Sequence, residues 1–393
     1  MTVSSQQASG ARLVADRGSR PRVLHLGKGY PPDAGGIERI VQLLCEGLQP
    51  EFEAVVVVSG RGRPARREVL RRVELVWVRS WGQVASQPLC PGVIRAVRRE
   101  PAALICLHVP NLLGLVAALC RPRHIPLVVF YHAPVIGRRW ARGIYQLLLR
   151  AALREAQRVI VTSASAVQQE PMLAEFTARS HVVALGVREP DYDDPEVLRR
   201  AAALREQYGP RLIVAVGRLV EYKGFEDLLA AMPDVASPLV IVGEGPLRSR
   251  LENQITSLGL SARVTLVGGV SEEELSAYYA AATVFCLPSR TAAEAFGLVQ
   301  VEAMLWAKPV VSTQVGSGAD EINQHGVTGL QVAPGEPAAL AAALNTLLSD
   351  PERAVTYGRA GRERARGHFV ADRMLQGVAT VFRDALRQAK PAV

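Results

Sequence analysis

Two stretches of this chain open alike. "RVLHLG" (22–27) is a short apolar run ending in glycine. A Pro- and Gly-rich loop follows, and then "GGIERIVQLLCEGL", with Ile37, Ile40, Val41, Leu44 and Leu48 on one side of a helix. "RLIVAVG" (211–217) repeats the device, running through a loop into the helical "FEDLLAAM". An apolar run that must pass through a helix before the next one suits a parallel sheet covered on both faces. The runs "FEAVVVVSG", "VELVWV", "ALICLHV", "IPLVVFYH", "RVIVTSASAVQQ" and "HVVALGV" extend the first series. "PLVIVGEG", "RVTLVGGV" and "VFCLP", with helices between them, extend the second. The alternation predicts an α/β protein of two Rossmann-like domains facing across a cleft.

The polar, Pro-containing "REPDYDDPEVLRR" reads as the linker between them. We therefore expect a loose tail over 1–20, a first domain over 21–188 and a second over 189–370. The amphipathic "ADRMLQGVATVFRDALRQ", in segment 371–393, is the last helix. A length of 393 residues accommodates two cores of ordinary size.

The five cysteines show neither CxxC nor Cys/His spacing, which argues against a disulfide framework or a zinc site. The first 20 residues lack an apolar core, so they do not read as a signal peptide. "AALICLHVPNLLGLVAALC" (102–120) is broken by His108, Pro110 and Asn111, which fits strand, turn and helix better than a membrane span. Charge is uneven: residues 1–190 carry 26 Lys+Arg against 13 Asp+Glu, and the remainder 20 against 24. A basic half suggests an anionic partner. The segment "IGRRWARGIYQLLLRAALREAQR" (136–158) carries six Arg and one Glu, interleaved with Trp140, Ile144, Leu147, Leu148 and Leu149. It fits a helix lying on anionic lipid, or a core helix with a solvated Arg face.

Three places could carry chemistry. In "GKGYPPDAGGIERI", Gly35 and Gly36 stand before a helix start, where free N–H groups attract anions. A plain βα turn reads the same way. Asp33 and Glu38 beside them fit helix-start acids. In "VGRLVEYKGFEDLL", Arg218 and Lys223 follow a strand end, where open α/β sheets bind ligands. They could grip a diphosphate, or be two solvated charges. In "SRTAAEAFGLVQVEAMLWAKPVV", Glu294 precedes a helix and Glu302 lies inside it. Eight residues of helical rise give roughly 12 Å between their backbones. Paired glycosidase carboxylates stand ~5–9.5 Å apart, so two separate hydroxyl acceptors fit better than an acid/base pair. The N–H groups around Phe296, Gly297 and Leu298 would add anion donors.

With "VGEGPLRSRLE" and "HGVTGLQVAPG", and in this order, these segments resemble the retaining glycosyltransferases of family 4, which have the GT-B fold. The likeness runs from about residue 22 to 385. It is greatest to mannosyl- and rhamnosyl-type transferases that build bacterial surface polysaccharides on a lipid carrier. The resemblance implies that the last helix crosses back to the first domain. It implies that Glu294 holds donor-sugar hydroxyls, Glu302 the nucleotide ribose, and Arg218 and Lys223 the diphosphate, with Gly35 and Gly36 capping it from the opposite domain. His132 in "YHAPV" matches a family histidine near the transferred sugar. Ala133 and Pro134, and Ala319, Asp320 and Glu321 in "GSGADEIN", depart from the subgroup's pattern.

The expected activity is hexose transfer from a nucleotide-diphosphate sugar, GDP-mannose first, to a hydroxyl of a glycan or polyprenyl-diphosphate-linked glycan. The alternatives are a UDP-sugar-dependent transferase acting on a small-molecule or lipid acceptor, and an epimerase of the same fold. A phosphorylase would need a pyridoxal lysine, and the four lysines (28, 223, 308, 390) offer only Lys223 in a cleft position. No covalent nucleophile is evident, so departure of the diphosphate would assist deprotonation of the acceptor. "DYDD" (191–194) is the nearest approach to a metal-binding acid pair, and it falls in the linker, so no metal and no cofactor are expected. Scattered basic residues without a recognition motif argue against nucleic acid. The expected location is cytoplasmic, peripheral at the inner face of the cell membrane. Lys223→Ala is expected to cut turnover and leave the fold intact.

Overall fold

The computed structural model describes residues 20–31, 35–60, 64–84, 87–135 and 139–389. The expected tail up to residue 19, Asp33, residues 136–138 of the basic segment and Lys390 lie outside them.

The first series folds into one eight-stranded sheet. Its strands are β1 (Arg22–Leu26), β2 (Glu53–Gly60), β3 (Arg66–Leu70) and β4 (Val73–Arg79), then β7 (Leu104–Val109), β8 (Leu127–Tyr131), β9 (Arg158–Val161) and β10 (Ser180–Val182). Between them β5 (Gln83–Val84) and β6 (Gln87–Pro88) form a small separate hairpin. The sheet order is β10-β9-β8-β7-β1-β2-β4-β3, parallel throughout except for the β3–β4 hairpin. The turn of that hairpin is Arg71-Arg72, both at positive φ (49° and 65°), the conformation a two-residue hairpin asks for. Glycine or asparagine normally signals such a turn, so an Arg-Arg pair gives no warning of β3.

The second series forms a six-stranded parallel sheet of β11 (Ile213–Val216), β12 (Leu239–Val242), β13 (Val264–Gly268), β14 (Val284–Leu287), β15 (Val310–Thr313) and β16 (Gly329–Val332). The order is β13-β12-β11-β14-β15-β16. Successive strands run outward from β11 to one edge, and the chain then returns to β14 and runs to the other. Two loops leaving neighbouring strands therefore diverge between β11 and β14 and open a crevice at the strands' carboxyl ends. The first sheet has the same reversal between β1 and β7.

The helix Ala371–Gln388 crosses back onto the first sheet. Phe382 packs edge-on to Phe52 (centroids 5.6 Å apart) and against His25 (6.1 Å). Leu375 sits against Gly47, where a Cβ would stand 2.4 Å from the leucine. The two passages between domains run side by side: Val187 N–H donates to Phe369 O (2.9 Å), and Ala371 N–H to Val187 O (2.8 Å).

The linker is shorter than the sequence suggests. Pro195–Tyr208 is a helix packed on the helix Glu272–Ala281 of the second domain. Asp194 caps it, accepting from the N–H groups of Glu196 (2.9 Å) and Val197 (3.2 Å), and Pro195 takes the first position. Asp194 of "DYDD" is thus a helix cap.

Candidate functional site

The site is built where the second sheet reverses. Gly217 follows β11 directly, and Lys223 folds back over it: a Cβ on Gly217 would lie 3.1 Å from Lys223 Cε. Lys223 closes a short 3-10 turn that Gly224 terminates at φ 67°. A Cβ on Gly224 would meet Pro288 O at 1.9 Å, so only glycine lets the loop after β11 touch the loop after β14. Arg290 clamps the two loops. Its N–H donates to Tyr222 O (2.7 Å), and its guanidinium forms two 2.6 Å bonds to Asp227 and one of 2.9 Å to Glu226.

This clamp delivers the two expected groups to one point. Lys223 Nζ stands 2.6 Å from Glu294 Oε2, and both side chains are only 9% exposed. Ser289 Oγ donates to the same carboxylate oxygen (3.0 Å), and Ser317 Oγ to the Glu294 carbonyl (2.5 Å). One carboxylate oxygen of Glu294, Oε2, is thus engaged in a buried ion pair. Arg218 is exposed, and its charge acts on the Tyr222 hydroxyl. Gly297 starts the helix Leu298–Leu305 at φ 74° with no side-chain cap, while Phe296 is buried edge-on to Phe369.

Glu302 faces the other domain. Its Oε2 accepts from Tyr279 OH (2.6 Å), and its Oε1 lies 3.8 Å from Arg39 Nη1. Burial pushes its carboxyl pKa up, against the pull of Tyr279 and Arg39. Arg39 belongs to the helix Gly36–Gly47 that follows Gly35, and it also binds Glu272 (2.7 Å). The glycine pair and Glu302 are therefore brought to opposite sides of one cleft by an arginine that the sequence reading passes over. Its signal is present: Arg39 lies three residues after Gly36, on the same helix face. Arg39 is nearly half-exposed, so Arg39→Ala is expected to cost under ~1 kcal/mol of stability by denaturant titration. It should also enlarge the radius of gyration in small-angle scattering as the domains part. An unchanged radius would show that the bridge holds nothing.

A second seam joins the domains. Ser165 N–H donates to Glu321 Oε1 (2.9 Å) and Gln169 Nε2 to Gly316 O (2.5 Å). Asp320 accepts from the N–H groups of Val315 (3.0 Å) and Gly316 (2.7 Å). The acids of "GSGADEIN" thus shape a loop and bridge the domains.

His132, directly after β8, stands apart from the ion pair, in the first domain. Its Nε2 is 2.9 Å from His108 Nδ1, and His108 Nε2 is 3.0 Å from His25 Nδ1. Burial keeps all three neutral, lowering His25 to about 4, His132 to about 3 and His108 well below its usual value. Cys106 joins them, so that His25, Cys106 and His108 bring their donor atoms within 4.8 Å of one another. Cys106 and His108 share one face of β7 at a spacing of two, but nothing in the sequence signals that His25, from β1, and His132, after β8, join them.

Residues 35–185 match the family described as glycosyl transferase 4-like domain, and residues 199–364 match glycosyl transferases group 1. The chain is 31% identical to the D-rhamnosyltransferase WbpZ of Pseudomonas aeruginosa, over 89% of this chain and 92% of that protein. It is 26% identical to the O-antigen chain mannosyltransferase C of Escherichia coli, over 92% and 98%. Among solved structures, the sucrose-phosphate synthase of Thermosynechococcus elongatus superposes with a TM-score of 0.77 at 23% identity, covering 94% of this chain and 100% of that one.

Proposed function

Because this chain belongs to the glycosyltransferases of GT-B fold, we propose that it moves a hexose, with retention, from a nucleotide-diphosphate sugar to a hydroxyl of a glycan or lipid-linked glycan in polysaccharide assembly. One observation carries the reading. Lys223 and Glu294 meet at the reversal point of the second sheet, buried and held by Arg290, with the helix that follows Gly35 reaching across the cleft.

In this reading Lys223 and the exposed Arg218 take the diphosphate and stabilise the charge that grows on it as the glycosidic bond breaks. Glu294 keeps Lys223 oriented and accepts from donor-sugar hydroxyls with its other oxygen, Oε1. Glu302 accepts from the ribose, with Gly35, Gly36 and the N–H groups of 296–298 completing the cradle. The departing diphosphate assists removal of the acceptor proton on the same face of the sugar, which preserves the anomeric configuration. No metal is required in this scheme, since the cationic side chains neutralise the leaving group.

GDP-mannose is the donor of first choice, supported by mannosyl and rhamnosyl relatives that cover nearly the whole chain. Thermal-shift titration against GDP-, UDP-, dTDP- and ADP-sugars tests it. A donor at ~100 times its Kd should stabilise the fold by about 2.7 kcal/mol, and the GDP-sugar should give the largest shift. No shift with any of the four would remove the reading.

The acceptor is proposed to reside on an anionic membrane. On the helix Arg139–Glu155, Ile144 is 55% and Leu147 70% exposed, while Tyr145, Leu149, Ala152 and Leu153 are buried. Two exposed apolar side chains between Arg142 and Arg150 suit shallow insertion among anionic headgroups. No helix among the described residues is long and apolar enough to cross a membrane. Flotation with phosphatidylglycerol vesicles should retain the protein at low salt and lose it with Leu147→Glu. Equal recovery with neutral vesicles would refute the contact.

A further inference from the structure

Arg39 and Glu302 face each other from opposite domains without closing into a salt bridge of ordinary length. Arg39 Nη1 stands 3.8 Å from Glu302 Oε1, beyond hydrogen-bond reach. Each side chain is anchored instead by its other end. Glu302 Oε2 accepts from Tyr279 OH (2.6 Å), and Arg39 Nη2 donates to Glu272 Oε1 (2.7 Å). The arginine's backbone is fixed as well, its N–H donating to Gly35 O (3.1 Å) in the first turn of the helix Gly36–Gly47. One carboxylate oxygen and one guanidinium N–H group are thus held apart across the cleft, and Oε1 accepts no hydrogen bond among the described residues.

The chemistry of the gap selects what can bridge it. An oxygen ~2.6 Å from Oε1 and ~2.8 Å from Nη1 would meet the two at about 90°, an angle that one oxygen's proton and lone pairs can serve. Such a group must donate to the carboxylate and accept from the guanidinium at once. A phosphate or carbonyl oxygen only accepts, so it would face Glu302 lone pair to lone pair. An ammonium only donates, so it would face the Arg39 charge. A hydroxyl does both. Burial raises the Glu302 carboxyl, and the Tyr279 hydroxyl and the Arg39 charge work against that rise, favouring the ionised form that accepts.

We infer that Arg39 is a specificity residue for the donor: it accepts no proton and forms no bond to the sugar, but donates from Nη1 to one ribose hydroxyl that itself donates to Glu302 Oε1. That the hydroxyl belongs to a nucleotide's ribose rests on the transferase reading. Its two partners come from different domains, so both hold it only when the cleft is shut. A nucleotide lacking that hydroxyl loses the clasp.

Calorimetric titration of the wild-type protein and Arg39→Ala with GDP, 2′-deoxy-GDP and 3′-deoxy-GDP, and with the three matching uridine diphosphates, tests the assignment. A hydrogen bond to a charged group contributes roughly tenfold or more to binding. Deleting the bridging hydroxyl should therefore weaken binding to the wild type about a hundredfold, since two such bonds go. In Arg39→Ala the same deletion should cost about tenfold, because only the bond to Glu302 is left to lose. Deleting the other ribose hydroxyl should cost the same in both proteins. An arginine that merely holds the domains together would weaken all three nucleotides of a set alike. Penalties that are equal in the two proteins for both deletions overturn the inference and leave the transferase reading standing. Failure of all six nucleotides to bind would remove that reading, and the inference with it.

Discussion

Lys223→Ala is expected to lose roughly 10²–10³-fold in turnover, the scale for removing one preorganised charge-stabilising group. It should lose about 3–5 kcal/mol of stability as well, because it strands a buried partner. The sequence alone pointed to the first effect and to an intact fold. The structure changes the second, because Lys223 Nζ is bonded at 2.6 Å to Glu294 in a site where both side chains are nearly dry. Truncation leaves the carboxylate with Ser289 as its one side-chain donor among the described residues. The two effects separate in Lys223→Met/Glu294→Gln, which removes both charges with little change in volume. That double variant should recover most of the stability in denaturant titration and none of the turnover. Wild-type turnover in Lys223→Ala, measured with the donor that binds best, would exclude Lys223 from the reaction. Full stability in the same variant would show that Glu294 relaxes into solvent, and the buried pair would lose its structural role.

Stability is expected to fall steeply as pH drops below 6.5, through the three buried histidines. Their folded pKa values are lowered, to about 4 for His25, to about 3 for His132 and well below the usual value for His108. In the unfolded chain each titrates near ~6.5. Between those values the unfolded state binds more protons, so stability is complete above pH 6.5 and is lost as pH falls. With three protons bound by the unfolded chain and none by the folded one, the slope approaches about 4 kcal/mol per pH unit near pH 5. A domain stable by ~5–15 kcal/mol should therefore unfold above the range where carboxylates usually govern acid denaturation. Glu302 works the other way, since burial raises it, but it is one group against three. Glu196, lowered to about 2, acts only once pH falls through the ordinary carboxylate value, below the histidine window. Denaturant titrations at pH 7, 6 and 5 measure the slope, and His132→Gln should reduce it by about a third. A flat profile over that window would mean that water reaches the rings and that they are not held neutral.

Much of this protein is legible in its residues because the information is local. Apolar runs alternating with helical spacing dictate two parallel sheets, since such strands have no solvated face. Gly224, before Phe225, and Gly297, before Leu298, mark where backbone must approach backbone or turn left-handed. Capping is local too: Asp194-Pro195 announces a helix inside the segment assigned to the linker. The strand β3 stayed hidden because its turn is made by Arg71-Arg72, residues that seldom take positive φ.

The sequence by itself determined the two-sheet architecture and the residue types carried at its strand ends, because strand burial and helix capping are decided within a few neighbours. Only the tertiary structure decided which of those residues meet. The ion pair joins positions 223 and 294, the cleft bridge 39, 272 and 302, and the histidine line 25, 108 and 132. Each contact forms across strands or domains remote in the chain, where hydrogen-bond reach depends on sheet order and loop clamping and not on spacing along the sequence.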